Sequence, residues 1–350
     1  MLAPVTHILP LTTIRRERAL PVSGKVLVRK GQKVGATDTI AEAQLYPEHL
    51  LLDIGRGLGM SSQRADRYLA CQPGEQVTEG DVIAGPVGFS KRVVRSPRAG
   101  TVLLAGGGQV LIEATGEPFE LKAGIPGDVV ELISDRGAIV ETTGALIQGM
   151  WGNGRIEFGV LTAVAKTPED VLTPEQLDVS LRGAIVLAAH CEDPEVFKSA
   201  EELPLRGLIL ASLVPALAAR AAKAQFPVIL LEGFGRRPLN PGTFQLLSTN
   251  DRREVALNAE VWDMYEATRP ELVIPLPSAG VLAQPAEAEF FALDQQVRVL
   301  RPPYVGETGT IVELKGKSIL PSGIHAAVAV VRLEAGSNVE LPVANLEVLV

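Results

Sequence analysis

Three apolar runs, Gly183 to Ala189, Gly207 to Leu213 and Pro227 to Leu231, alternate with two helical patterns, Pro194 to Leu203 and Pro215 to Gln225. Runs this short and this uniformly apolar read as strands buried on both faces of a parallel sheet, because crossover helices cover both sides of such a sheet. Ile185, Leu187, Ile209, Leu210, Ile229 and Leu230 would each contribute roughly 1.5 to 3 kcal/mol on full burial. Proline stands near the first helical position of both intervening segments, and Lys223 closes the second, as helix termini prefer. Ligands in such sheets sit outside the carboxyl ends of the strands. That edge carries His190, Cys191, Glu192, Ser212, Glu232, Gly233, Arg236 and Arg237.

Of these, His190, Ser212, Glu232, Gly233, Arg236 and Arg237 are the candidate ligand residues. Arg236 and Arg237 follow Gly233 and Gly235, and a guanidinium fork suits a carboxylate or phosphate. His190, Cys191 and Glu192 are consecutive, so their side chains do not converge, and no metal is expected. No nucleophile elbow or acid–base pair accompanies them, so no catalytic residue is assigned.

The 350 residues exceed what one core serves. Hydrophobic residues make up 46% of the chain, with 34 glycines and 25 prolines, which predicts a folded, turn-rich, multidomain and mostly β protein. Cys71 and Cys191 offer neither a disulfide framework nor zinc spacing, which suits a reducing compartment. The first residues lack a signal-peptide pattern, and the run from Leu208 is broken by Ser212 and Pro215, short of the roughly 20 residues of a membrane span. A soluble, cytoplasmic protein without membrane insertion is expected. Net charge is −8, divided as +5 before residue 99 and −13 after it, so the first part either meets an anionic partner or docks on the rest.

An internal repeat organises the N-terminal third. Gly31, Val34, Asp38, Ile40 and Ala41 recur at the same spacing as Gly74, Val77, Asp81, Ile83 and Ala84; Pro21, Gly24 and Val26 recur as Pro97, Gly100 and Val102. Glycines at tight turns, with single apolar residues between polar ones, suit short strands crossing a small barrel. These motifs resemble the biotinyl/lipoyl-like barrel-sandwich family over residues 20–115. Thr37 stands where the first copy would have its second glycine. In carrier members of that family a lysine on a hairpin tip takes biotin or lipoate, and the corresponding residue is Lys91. It lacks the methionine or acidic neighbours of modified lysines and lies closer to Ser96 and Pro97 than the family spacing. Biotinylation or lipoylation is therefore not expected, and no cofactor is assigned. The unmodified members are binding or scaffolding modules.

The insertion at 45–71 runs from an apolar stretch, Leu50 to Ile54, through Gly55, Gly57 and Gly59 to a helical stretch from Ser61 to Leu69. Met60 replaces the third glycine of a dinucleotide fingerprint, so a glycine-rich loop closed by a Ser61 cap is expected instead. Further on, Trp151 to Gly154 reads as a tight hairpin, with Trp151 filling space beside glycines. Residues 253–259 are compatible with either helix or strand.

From Val297 the chain changes again. Val297 and Val299, the turn through Arg301, Pro302, Pro303 and Tyr304, then Gly306, Gly309, Thr310, Ile311 and Val312 are similar to the KOW motif of NusG-like factors, which implies an SH3-like barrel over 295–350. Its five basic side chains are matched by acidic ones, so it lacks the footprint that RNA binding needs. Protein docking is expected, with Arg301, Tyr304, Arg29, Lys30 and Lys91 as the candidate interaction surface.

The division is then 1–123 for the barrel-sandwich module, 124–280 for a β-rich bridge with the α/β domain, 281–294 for a linker and 295–350 for the KOW-like barrel. The expected function is a non-enzymatic interaction, assembly or scaffold protein with a protein partner or self-association. Two alternatives remain open: a nucleic-acid-associated ribosome or transcription factor, and a small-anion-binding protein or enzyme using the carboxyl edge.

Overall fold

The computed structural model describes residues 2–45, 48–88, 91–114, 116, 118–263, 268–277, 282, 284–286 and 288–350. The expected linker at 281–294 lies partly outside the described residues, and so does Ser90, the neighbour of Lys91. The protein is mostly β, with 49% of residues in strands and 14% helical, arranged in several sheets of which none is closed.

The apolar runs form the strands Ala184–Cys191, Gly207–Leu213 and Val228–Phe234, paired in parallel, with Leu187 opposite Ile209 and Ile209 opposite Ile229. Alternate side chains feed two cores. Val186, Leu208, Leu210 and Leu230 pack against Val196, Phe197 and Ala221 from the helices Glu195–Glu202 and Ala218–Lys223. Ile185, Leu187, Ile209 and Ile229 pack on the other face against Leu247 of the helix Pro241–Thr249, whose Asn240 cap accepts from the backbone of Gly242 and Thr243. These strands belong to a 12-stranded sheet. Residues 254–258 resolve as the strand Glu254–Asn258, antiparallel to Ile156–Ala163. Their alternation places Val255 and Leu257 in one core and Ala256 in another, which a helix would not do.

Trp151 and Gly152 form no local hairpin. They pair with Leu230 and Ile229 instead. The reason is Asn153, whose amide donates to the carbonyls of Ala221 and Phe226 and accepts from the Val228 N–H, so its bonds go to a distant loop. Trp151 packs edge-on against Phe234, with ring centroids 5.7 Å apart.

The internal repeat is repeated as geometry. Asp38 accepts from the Gly35 N–H at 2.8 Å and Asp81 from the Thr78 N–H at 2.7 Å. Gly31 and Gly74 share left-handed backbones, with φ of 81° and 88°. Val34, Ile40 and Ala41 are buried in one core, and Val77, Ile83 and Ala84 in another. Gly24 and Gly100 serve close approach, since a Cβ on either would overlap the carbonyl oxygen of Glu42 or Glu113.

Between the copies, the strand Glu48–Asp53 runs into the short helix Ile54–Leu58, capped by the Asp53 carboxylate on the Arg56 N–H. Gly55 and Gly57 thus lie within a helical turn and make no loop, and Ser61 makes no side-chain cap. The closing contact comes from Asp66, which accepts from the N–H groups of Gly107 and Gly108.

The chain's first described strand is not near the repeat. Leu2–Thr6 pairs in parallel with Leu346–Leu349 in a seven-stranded sheet formed otherwise by residues 288–349, and Ile8–Ala19 pairs along Gly137–Gln148 in the 12-stranded sheet. No helix among the described residues is long and apolar enough to cross a membrane.

Candidate functional site

At the carboxyl ends of the parallel strands, the sequence-selected residues divide into two groups. The first is centred on Ser212, which is fully buried. Its Oγ lies 2.9 Å from His190 Nδ1, donates to the Arg237 carbonyl at 2.7 Å and accepts from the Arg237 N–H at 3.0 Å. Burial holds the His190 imidazole below its ordinary pKa, with the nearby Arg236 charge adding to the effect and Glu192, 3.6 Å away, opposing it. His190 is therefore a neutral ring spent on holding a loop. Cys191 is buried beside it, and desolvation pushes its thiol up to about 12. Such a thiol supplies no thiolate nucleophile at neutral pH.

Glu232 carries the second group. Between Leu210 and Ser212 the pairing with Val228–Phe234 slips, with Ser212 opposite Gly233, whose φ is 87°. An extra residue in one strand re-aims the side chains around it. The Glu232 carboxylate accepts from the Asn240 N–H at 3.0 Å and from Arg298 Nη2 at 2.8 Å. Arg298 is 2% exposed, and its Nη1 donates to Glu347 at 3.2 Å. Glu347, fully buried, also accepts from Thr6 Oγ1 at 3.0 Å and from both terminal nitrogens of Arg269 at 3.2 Å. Arg269 stacks over the Trp262 ring at 5.0 Å. Two guanidinium and two carboxylate groups thus balance with little access to water, Arg269 keeping the most, as buried charges must. Arg298 Nε is left without a hydrogen-bond partner among the described residues.

Arg237 extends the same contact. Its Nε donates to the Phe234 carbonyl, and its guanidinium lies where a Cβ on Gly306 would be. Burial lowers its pKa, with Glu232 acting against that. The carboxyl edge therefore faces the sheet formed by residues 288–349 and is tied to it through Glu232 and Arg237. Arg236 remains exposed.

The candidate interaction residues are dispersed. Arg29 and Lys30 are exposed on the turn before Lys33–Val34, while Lys91 is exposed beside the strand Arg92–Arg95 with φ of 45°. Arg301 is exposed, and Tyr304 packs against the core of its own sheet. Arg298, Glu347, Arg269 and Thr6 were not selected from sequence. No local signal marked them: alternation beside the core residues Val297 and Val299 sends Arg298 to the opposite face of its strand, where an arginine reads as solvent-facing. Cavities of about 430 and 310 Å³ lie elsewhere, the first lined by Lys25, Leu132 and Asp135, the second by Ile8, Gln245 and Leu246. Among the described residues no group of three or more His, Cys, Asp or Glu side chains is placed to hold a metal ion.

Compared with known proteins, the chain matches no protein-family model, and no curated protein matches it.

Proposed function

We propose that the chain is a non-enzymatic interaction or assembly protein of the cytoplasm. It would be built from a biotinyl/lipoyl-like barrel-sandwich module around 20–115, a parallel α/β layer, and a KOW-like SH3 barrel over 295–350. The observation that carries this reading is the use made of the carboxyl edge. In a ligand-binding α/β protein that edge keeps polar groups free for the ligand. Here Glu232 is held by Arg298, Ser212 by the Arg237 backbone, and His190 by the Ser212 hydroxyl. Polar groups that would recognise a substrate instead hold one part of the chain to another.

Affinity purification of the full chain from cell extract, with and without nuclease, tests the reading. A stoichiometric protein partner, or a defined oligomer of the chain alone, is the expected result. Capture that disappears with nuclease would transfer the protein to the nucleic-acid class, where binding should weaken steeply with salt. A strictly monomeric chain that captures nothing would overturn the proposal.

A further inference from the structure

The sheet that contains the second repeat copy has the strand order Glu48–Asp53, Gln109–Ala114, Gly100–Gly106, Gln76–Val77, so Glu48–Asp53 is its edge. Leu51 lies opposite Leu111, and Leu111 lies opposite Leu104. Their neighbours Val110, Ile112 and Val102 are fully buried on the inner face. The three leucines therefore make an apolar row across the outer face, with Leu51 61% and Leu104 64% exposed.

The edge beside that row is unguarded. Natural sheets blunt their edges with proline, bulges, charge runs or short strands. The edge strand Ile8–Ala19 has Pro10 and the run Arg15 to Arg18, and Asn338–Pro342 ends in proline. Glu48–Asp53 pairs with its inner neighbour over six residues without a register shift and contains no proline. The Ile54 N–H donates inward to the Gly108 carbonyl at 2.8 Å. By alternation, the backbone groups of His49, Leu51 and Asp53 point outward, and no strand among the described residues pairs with them.

We propose that this edge pairs with the same edge of a second copy of the chain, antiparallel about a two-fold axis through Leu51. This rests on the assembly reading above and names its partner. The sequence Glu48-His49-Leu50-Leu51-Leu52-Asp53 is self-complementary in that register alone among its neighbours. Centred on Leu51, it sets leucine on leucine and the His49 imidazole against the Asp53 carboxylate, twice by symmetry. Centred on Leu50 it sets His49 on Leu51, and centred on Leu52 it sets Leu51 on Asp53. The centred pairing also joins both apolar rows into one. Glu48, whose charge is already met by Arg98 of its own chain, adds no repulsion.

Site-specific crosslinking of the full chain tests this. Opposed Leu51 Cα atoms would be about 5.5 Å apart, within disulfide range. Leu104 lies two strands further in, so its copies would be roughly 24 Å apart. Under diamide, Leu51→Cys should become a covalent dimer and Leu104→Cys should stay monomeric; Cys71 and Cys191 are buried and do not compete. In sedimentation, the wild-type dimer should be lost in Leu51→Lys, an exposed substitution that leaves the core intact. Equal crosslinking of both cysteine variants, or a wild type that sediments as a monomer throughout, overturns the pairing. A monomer that still captures a stoichiometric foreign protein overturns the pairing alone; one that captures nothing removes the assembly reading with it.

Discussion

Single residues at the carboxyl edge show how burial converts reactive side chains into structural ones. Desolvation puts the Cys191 thiol at about 12 and also raises that of Cys71, so the thiolate that alkylating agents need is scarce in the folded state. Neither cysteine should react with iodoacetamide in the native protein, and both should react in denaturant, as counted by intact mass. His190 gives a pH dependence. Its folded pKa lies below the unfolded value, so its contribution to stability is complete above the unfolded pKa and is lost as pH falls toward the folded one. The thermal midpoint should fall on mild acidification, and His190→Gln should remove part of that slope. Gly306 is a steric test of the same region, because a Cβ there would overlap the Arg237 guanidinium and its φ is 77°. Gly306→Ala should cost about 1 to 3 kcal/mol in denaturant melts.

At the level of elements, the two repeat copies permit a controlled comparison. Gly24 and Gly100 leave no room for a methyl group against a backbone carbonyl, whereas Gly74 faces open space and is constrained only by its φ. Gly24→Ala and Gly100→Ala should each destabilise by about 2 kcal/mol or more, and Gly74→Ala by about 1 kcal/mol, measured as shifts in the denaturant midpoint. The repeat was legible in sequence because its spacing is set by local turns, each made by an aspartate accepting from the N–H three residues before it. The parallel strands were legible for a related reason, since unbroken apolar runs suit few other settings. Part of what escaped was decided by distant partners and part by a local cap. Asn-Gly after Trp151 predicts a hairpin, but Asn153 is committed to the loop around Phe226; Gly55 and Gly57 predict a loop, but Asp53 caps a helical turn over them. Helix or strand at 254–258 turned on burial on two faces, which no window of sequence records.

Over the whole molecule, the buried network of Arg298, Glu232, Glu347 and Arg269 joins the carboxyl edge to the last strand and to the first. Removing one charge from such a set leaves its partners buried and unpaired. Arg298→Met should destabilise by about 3 to 5 kcal/mol, whereas Arg98→Ala, which breaks an ion pair about half exposed on both sides, should stay within about 0.5 kcal/mol. Urea titration of both variants decides between them. This network was illegible in sequence because its members are spread from Thr6 to Glu347, and no local pattern sets a core arginine apart from a surface one. The pairing of Leu2–Thr6 with Leu346–Leu349 has a temporal side as well. During translation the earlier strand must wait, unpaired, until Ala288–Phe290 has emerged, and it gains its second neighbour only when Leu346–Leu349 follows; contacts of such long range form slowly. Nascent chains arrested before Ala288 should therefore remain protease-sensitive at residues 2–6 while the parallel strands in the middle are already protected.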